Sequence, residues 1–344
     1  MLSSCASGDS VPSDDGSQSV VLFTFPTSHP YAAEAIRQAE ESAAERGWDL
    51  EVIQNNFDQS EQDQQVQQYI ASGVEPDAFI WYAADAKAGI NSTRYLSEVA
   101  PVFQYNQPVQ EGGEEYVTAF VGVDAFLSGQ VSGQSLMQAR KEDREAGNEL
   151  SSEHGNLLVF SYPVTLRESQ VRTEGFVDAT TTGPFTVLET VDAGFSTESG
   201  YTAAATVIPK YLNEGIDYIW AFGGNIADGV AQALRENGLE PGVDVKIVAG
   251  NCTGDLGSLK DGSIYSEGVQ SPSLEMQLTF DVLDRYFETG EVVDGTFNGE
   301  DTPTFPDLAG MPPQTESYIP NPPITADTIE APLWGSTLGE LCTF

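Results

Sequence analysis

The sequence predicts an α/β protein made of two doubly wound parallel-sheet lobes. Two observations carry this. Short apolar, β-rich runs alternate with helical stretches along most of the chain, and the alternation starts afresh near residue 156. Such alternation produces parallel sheets covered by helices. Two similar halves imply a cleft between them, where small-molecule sites are common.

In the first half, Val20–Phe25 is an expected strand and Tyr31–Arg46 a helix opened by Pro30, which suits the first helical position. Asp49–Ile53 and Ala78–Tyr82 are strands around a helix over Glu61–Ser72. Ala86–Ala100 is mostly helical, Val102–Tyr105 and Val117–Val123 are strands, and a helix runs over Ser128–Arg144. The second half repeats the pattern. Its strands are Asn156–Ser161, Phe185–Thr190, Asp217–Phe222, Val245–Ala249 and Ile264–Gln270. Its helices are Glu168–Thr180, Ser199–Asn213, Ala227–Asn237, closed by Gly238, and Leu274–Thr289. After Gly290 the prolines rule out long helices. Phe297, Phe305, Tyr318, Ile319, Leu333 and Trp334 nevertheless argue for an ordered strap there.

Composition narrows the function. The 344 residues include 53 acidic against 14 basic, a formal charge of −39. That balance excludes nucleic acid, which is bound through Lys and Arg, and disfavours anionic membrane surfaces. No apolar run reaches the 18 residues needed to span a bilayer. Leu2-Ser3-Ser4-Cys5 is similar to the end of a bacterial lipoprotein signal, with Cys5 as the lipidated residue and residues 1–19 as a tether rich in Ser, Asp and Gly. Lipid on Cys5 would leave Cys252 and Cys342 as an even pair that an exported protein could bond. No Cys/His cluster argues for a metal, and no cofactor is expected. A glycine-rich nucleotide loop, a Walker loop and a GxSxG elbow are all missing, which argues against an enzyme.

In open α/β sheets the residues just past a strand's carboxyl end face the ligand. Ser28, His29 and Tyr31 therefore become candidates. Trp81 and Tyr82 cannot share a face of their strand, and Tyr82 is preferred for the ligand. Asp85 suits a helix cap as well as a contact, and Asp124 suits a cap or hinge.

Several segments, in order, resemble the sugar-type periplasmic binding proteins of ABC importers, in the ribose-binding-like group. They are Pro26-Thr-Ser-His-Pro-Tyr31, the stretch from Gln65 to Ala78, Val121-Gly-Val-Asp124 with Gly129, Arg172-Thr-Glu-Gly-Phe176, Ser266-Glu-Gly-Val-Gln-Ser-Pro272, and Asp327 to Gly335. The resemblance covers about residues 20–290 and implies a type I periplasmic binding fold with a three-segment hinge. Crossings are expected near Val123–Asp124, Gln270–Ser271 and Tyr318. Lobe one would hold residues 20–123 and 271–318, and lobe two 124–270 and 319–344. The implied contacts are His29, Tyr31, Asn106, Gln107, Gln170, Arg172, Phe195, Asn225, Asn251 and Gln270. Asn106 and Asn251 stand where carboxylates are usual, so the pocket looks less charged than a typical sugar site. The resemblance implies an extracytoplasmic monomer, tied to the membrane only through lipid. It would capture a sugar or polyol and pass it to permease subunits. A receptor of the same fold signalling to a chemoreceptor or sensor kinase is the alternative. A lactose-repressor-type regulator would need a basic head, and Ser7–Gln18 is short and acidic.

Overall fold

The computed structural model describes residues 17–252, 254–292, 321–333 and 335–344, and the backbone alone of 296–297, 300–301 and 316–319. Cys5, Phe305 and Trp334 lie outside the described residues. So does most of the predicted strap.

The first lobe alternates β1 (Ser19–Thr24), α1 (Pro30–Arg46), β2 (Asp49–Gln54), α2 (Gln59–Ser72), β3 (Ala78–Trp81), α3 (Ile90–Ser97), β4 (Val102–Tyr105) and β5 (Ala119–Val123). Its strands pair in parallel in the order β5-β4-β3-β1-β2. Alternation sorts the side chains. Val20 and Leu22 join the large core under α1, whereas Val21 and Phe23 join a second cluster with Phe79, Trp81 and Leu96 on the other face. Residues 17–19, expected to fall before the first lobe, join it. The Asp49 N–H donates to the Gln18 carbonyl, and Ser17 bonds the Gly47 carbonyl.

Beyond Asp124, which caps it through the Leu127 N–H, α4 (Ala125–Ala146) leads into the second lobe. There follow β6 (Asn156–Ser161), α5 (Arg167–Thr180), β7 (Thr186–Asp192), α6 (Thr197–Tyr211), β8 (Tyr218–Ala221), α7 (Gly224–Glu236), β9 (Lys246–Ala249), the single turn α8 (Gly257–Lys260) and β10 (Ser266–Gly268). These strands run β10-β9-β8-β6-β7 in parallel. α4 and α5 pack at glycine contacts. A Cβ on Gly129 would lie 1.9 Å from the Arg172 carbonyl oxygen, and one on Gly175 1.9 Å from that of Phe126.

α9 (Pro272–Thr289) returns to lie on α1 and β5 in lobe one. The strand Glu316–Ile319 extends the first sheet beside β5, and Pro323–Ile324 pairs antiparallel with β10 in the second. The third crossing therefore lies between residues 319 and 321. Ile319, expected in lobe two, sits in register with Val123 of lobe one because the parallel ladder continues through it. Cys252 and Cys342 form a disulfide that ties the final helical turn to the end of β9. No helix among the described residues is long and apolar enough to cross a membrane.

Candidate functional site

A cavity lies where the two sheets face each other. Phe25, His29, Tyr31, Phe57, Tyr82 and Asn106 line it from lobe one. Tyr162, Leu166, Glu168, Phe195, Phe222, Asn251 and Gln270 line it from lobe two. Nine of these residues, from Phe25 to Gln270, come within three residues of the carboxyl end of a strand, as the geometry of open α/β sheets requires. The lobes are shut. The Phe57 and Phe195 rings stack across the cleft with centroids 4.7 Å apart and planes 5° from parallel. The cavity left is about 30 Å³, space for one or two waters. A solute can enter only if the lobes or these rings part.

The walls are aromatic. Phe25 packs on Tyr82 at 4.6 Å and on Phe57 at 5.1 Å, and Tyr162 stacks on Phe222 at 4.2 Å. Phe57 holds a φ of +57°, in the left-handed region that costs a bulky residue roughly 1–2 kcal/mol. Asn55 Oδ1 accepts its N–H and stabilises the bend. Asn106 sits at φ +63°, a conformation Asn tolerates better. Strained backbone at two lining residues is the usual mark of a functional site.

The floor is polar and buried. The Arg172 guanidinium is fully buried and lies 4.3 Å from the centre of the Phe222 ring. It pairs with Glu168, donates to Asn251 Oδ1 at 2.9 Å and Gln270 Oε1 at 2.8 Å, and reaches the Phe222 carbonyl at 3.4 Å. Burial raises the Glu168 carboxyl above the usual range, and Arg172 opposes that rise. Gln270 passes its Nε2 proton on to Glu275 at 3.1 Å. Glu275 also accepts from the Tyr31 hydroxyl and from Asn106 Nδ2 at 3.1 Å. Burial pushes Glu275 up to about 7 and holds His29 down near 4. His29 is therefore a neutral imidazole at physiological pH, packed edge-on to Phe25, with Nδ1 buried and unpartnered.

Of the twelve residues expected at the ligand, the cavity brings together His29, Tyr31, Tyr82, Asn106, Phe195, Asn251 and Gln270. Arg172 lies directly behind them. Asn225 also stands behind, holding the Tyr162 hydroxyl at 3.1 Å and the Phe195 carbonyl at 2.8 Å. Ser28 is exposed on the turn before α1, because that turn points its side chain to solvent. Gln107 is buried but spent, bonding the Ala83 carbonyl and accepting the Arg167 N–H, which clamps lobe to lobe. Gln170 bonds the Val164 carbonyl and Arg167 in its own loop. Sequence reasoning missed Phe25, Phe57, Tyr162, Leu166, Glu168, Phe222 and Glu275. The strand-end rule could have found the first three and Phe222. Among the described residues, no group of His, Cys, Asp or Glu could hold a metal.

The comparisons with known proteins agree with this geometry. A family profile described as "Periplasmic binding protein domain" matches residues 20–291. The galactofuranose-binding protein YtfQ of Escherichia coli (strain K12) is 22% identical over 281 residues, covering 79% of this chain and 82% of its own. The fold matches a carbohydrate transporter solute-binding protein from Agrobacterium radiobacter, in complex with D-arabinose. Its TM-score is 0.76 at 17% identity, over 96% of this chain and 100% of that one. The binding protein of the arabinose ABC transporter from Shewanella sp. ANA-3, bound to α- and β-L-arabinofuranose, matches at TM-score 0.71 and 19% identity, over 90% and 92%. These relatives are solute-binding proteins rather than enzymes. The chain belongs to the periplasmic binding protein family.

Proposed function

We propose that this protein captures a small neutral sugar, held as a furanose or a similar compact ring, and delivers it to the permease of an ABC importer. The observation that carries the reading is the aromatic-walled, polar-floored cleft closed by the Phe57–Phe195 stack between two lobes. A sugar ring has apolar faces and a rim of hydroxyls. Parted, the two Phe rings would cover the faces, while Asn106, Asn251, Glu168 and His29 would meet the rim. A buried polar group left unpaired costs about 1–3 kcal/mol, which is how such a site separates stereoisomers. Charge favours a neutral solute. Arg172, the buried cation at the floor of the cleft, is already paired with Glu168, and a protein of formal charge −39 repels anions. The furanose assignment draws on what the Escherichia coli and Shewanella relatives bind.

The lobes close as hinged bodies about the crossings at Val123–Asp124, Gln270–Ser271 and residues 319–321. The closed form then docks on the permease, with Cys5 as the lipid-bearing residue that keeps the protein near it. A thermal-shift screen tests the binding step with L-arabinose, D-galactose, D-fucose, D-ribose and myo-inositol. A solute at 100 times its Kd adds about 2.7 kcal/mol of stability. Stabilisation by one stereoisomer over its epimers is the expected result. Folded protein that responds to none of the five refutes the sugar reading.

A further inference from the structure

Glu275 is buried in the first turn of α9, behind the cavity wall, and none of the ion pairs among the described residues includes it. Its three side-chain partners are neutral: Tyr31 from α1, Asn106 after β4, and Gln270 after β10. All three line the cleft, two from lobe one and one from lobe two. The other titratable groups facing Glu275 are Tyr105 of β4, Tyr82 after β3 and Glu168 of α5. Arg172 reaches it only through Gln270.

The chemistry of a carboxylate makes this arrangement directional. An ionised carboxylate only accepts hydrogen bonds, so each neighbour must offer it a proton. Asn106 therefore turns Nδ2 inward and has Oδ1 left for the cleft. Gln270 turns Nε2 to Glu275 and Oε1 to Arg172, which fixes its orientation. The orientation of an amide follows from such a network. We propose that Glu275 is a positioning residue that sets the donor–acceptor pattern of the cleft, with Asn106 fixed as an acceptor for a solute hydroxyl. The inference rests on the solute-binding reading and names a specificity element within it. Protonation reverses the pattern. The new carboxyl O–H needs an acceptor, the Asn106 amide turns over to supply one, and Nδ2 then faces the cleft. With Glu275 raised to about 7 by burial, that reversal falls between about pH 6 and 8.

The first test needs no ligand. In ¹⁵N-labelled full-length protein, the Asn106 side-chain amide signals, assigned with Asn106→Ala, are followed from pH 5.5 to 8.5. They should titrate with a midpoint near 7 in the wild type and stay fixed in Glu275→Gln. Signals that stay fixed in the wild type, or that titrate equally in Glu275→Gln, overturn the proposal, and the wild-type arm stands even if the variant folds poorly. The second test uses whichever of the five sugars binds. Glu275→Gln should weaken it roughly tenfold at pH 8 and flatten its pH profile. An unchanged affinity and profile in the folded variant overturn the proposal. Failure of every sugar to bind the wild type refutes the sugar reading instead, and the amide titration then decides the role of Glu275 alone.

Discussion

Replacing Arg172 with Met measures what holds the floor of the cleft together. Met keeps much of the apolar volume beside Phe222 but removes the charge and the four hydrogen bonds Arg172 donates. Glu168, whose side chain is 8% exposed, then stays buried without its cation. Breaking a buried ion pair from one side costs about 3–5 kcal/mol. The loss must depend on pH, and its sign is fixed. Burial already holds the folded Glu168 above its usual range, and removing Arg172 raises it further. A carboxyl raised on folding gives stability that is complete below its unfolded value and is lost as pH rises through the folded value. Arg172→Met should therefore cost less at pH 5.5 than at pH 8, because the uncompensated Glu168 charge grows as pH rises. Each unit of additional shift is worth about 1.4 kcal/mol, so the loss at pH 8 should exceed that at pH 5.5 measurably. Urea unfolding followed by tryptophan fluorescence reads this directly, since Trp220 is buried in lobe two. Adding Glu168→Gln to Arg172→Met should recover most of the loss at pH 8, because the uncompensated charge is gone. A penalty under about 1 kcal/mol at pH 8, or one equal at both pH values, would refute the reasoning.

Phe57→Ala gives up the stack with Phe195 and the contact with Phe25. Ala keeps the Cβ that makes a left-handed backbone costly, so no strain is relieved. An aromatic pair is worth about 0.5–1.5 kcal/mol, so stability should fall by about that much while calorimetry shows solute affinity down at least roughly tenfold. Gly129→Ala drives a Cβ into the Arg172 carbonyl oxygen. It should cost about 1–3 kcal/mol in urea and weaken binding too, because α5 carries Glu168 and Arg172. Cys342→Ser opens a loop of 90 residues and should cost about 4–5 kcal/mol. Reductant should lower the wild-type urea midpoint to match and leave the variant unmoved.

The lobes were legible because their signals are local. Val20 to Phe23 alternate between two cores, and the glycines of the Gly129 and Arg172 segments have a steric reason that any chain packing these helices must meet. Strand ends pointed to His29, Tyr31 and Tyr82, and the family resemblance supplied Asn106, Phe195, Asn251 and Gln270. Phe57 was passed over because the expected strand stopped at Ile53, one residue before the end of β2, which left Phe57 beyond its reach. The two buried acids show where local reasoning stops. Among 53 acidic residues, nothing in residue type marks a carboxylate that leaves solvent. Glu168 did carry a signal, since Arg172 lies four residues on, where a helix brings side chains together. Glu275 carried none of that kind. Two of its partners lie 244 and 169 residues away, and the third comes from the opposite lobe. Its environment exists only when α1, the end of β4 and the hinge after β10 meet. A group assembled from both lobes in this way responds to anything that alters their meeting. The residue hardest to find in the sequence is therefore the one best placed to couple closure to the polarity of the cleft.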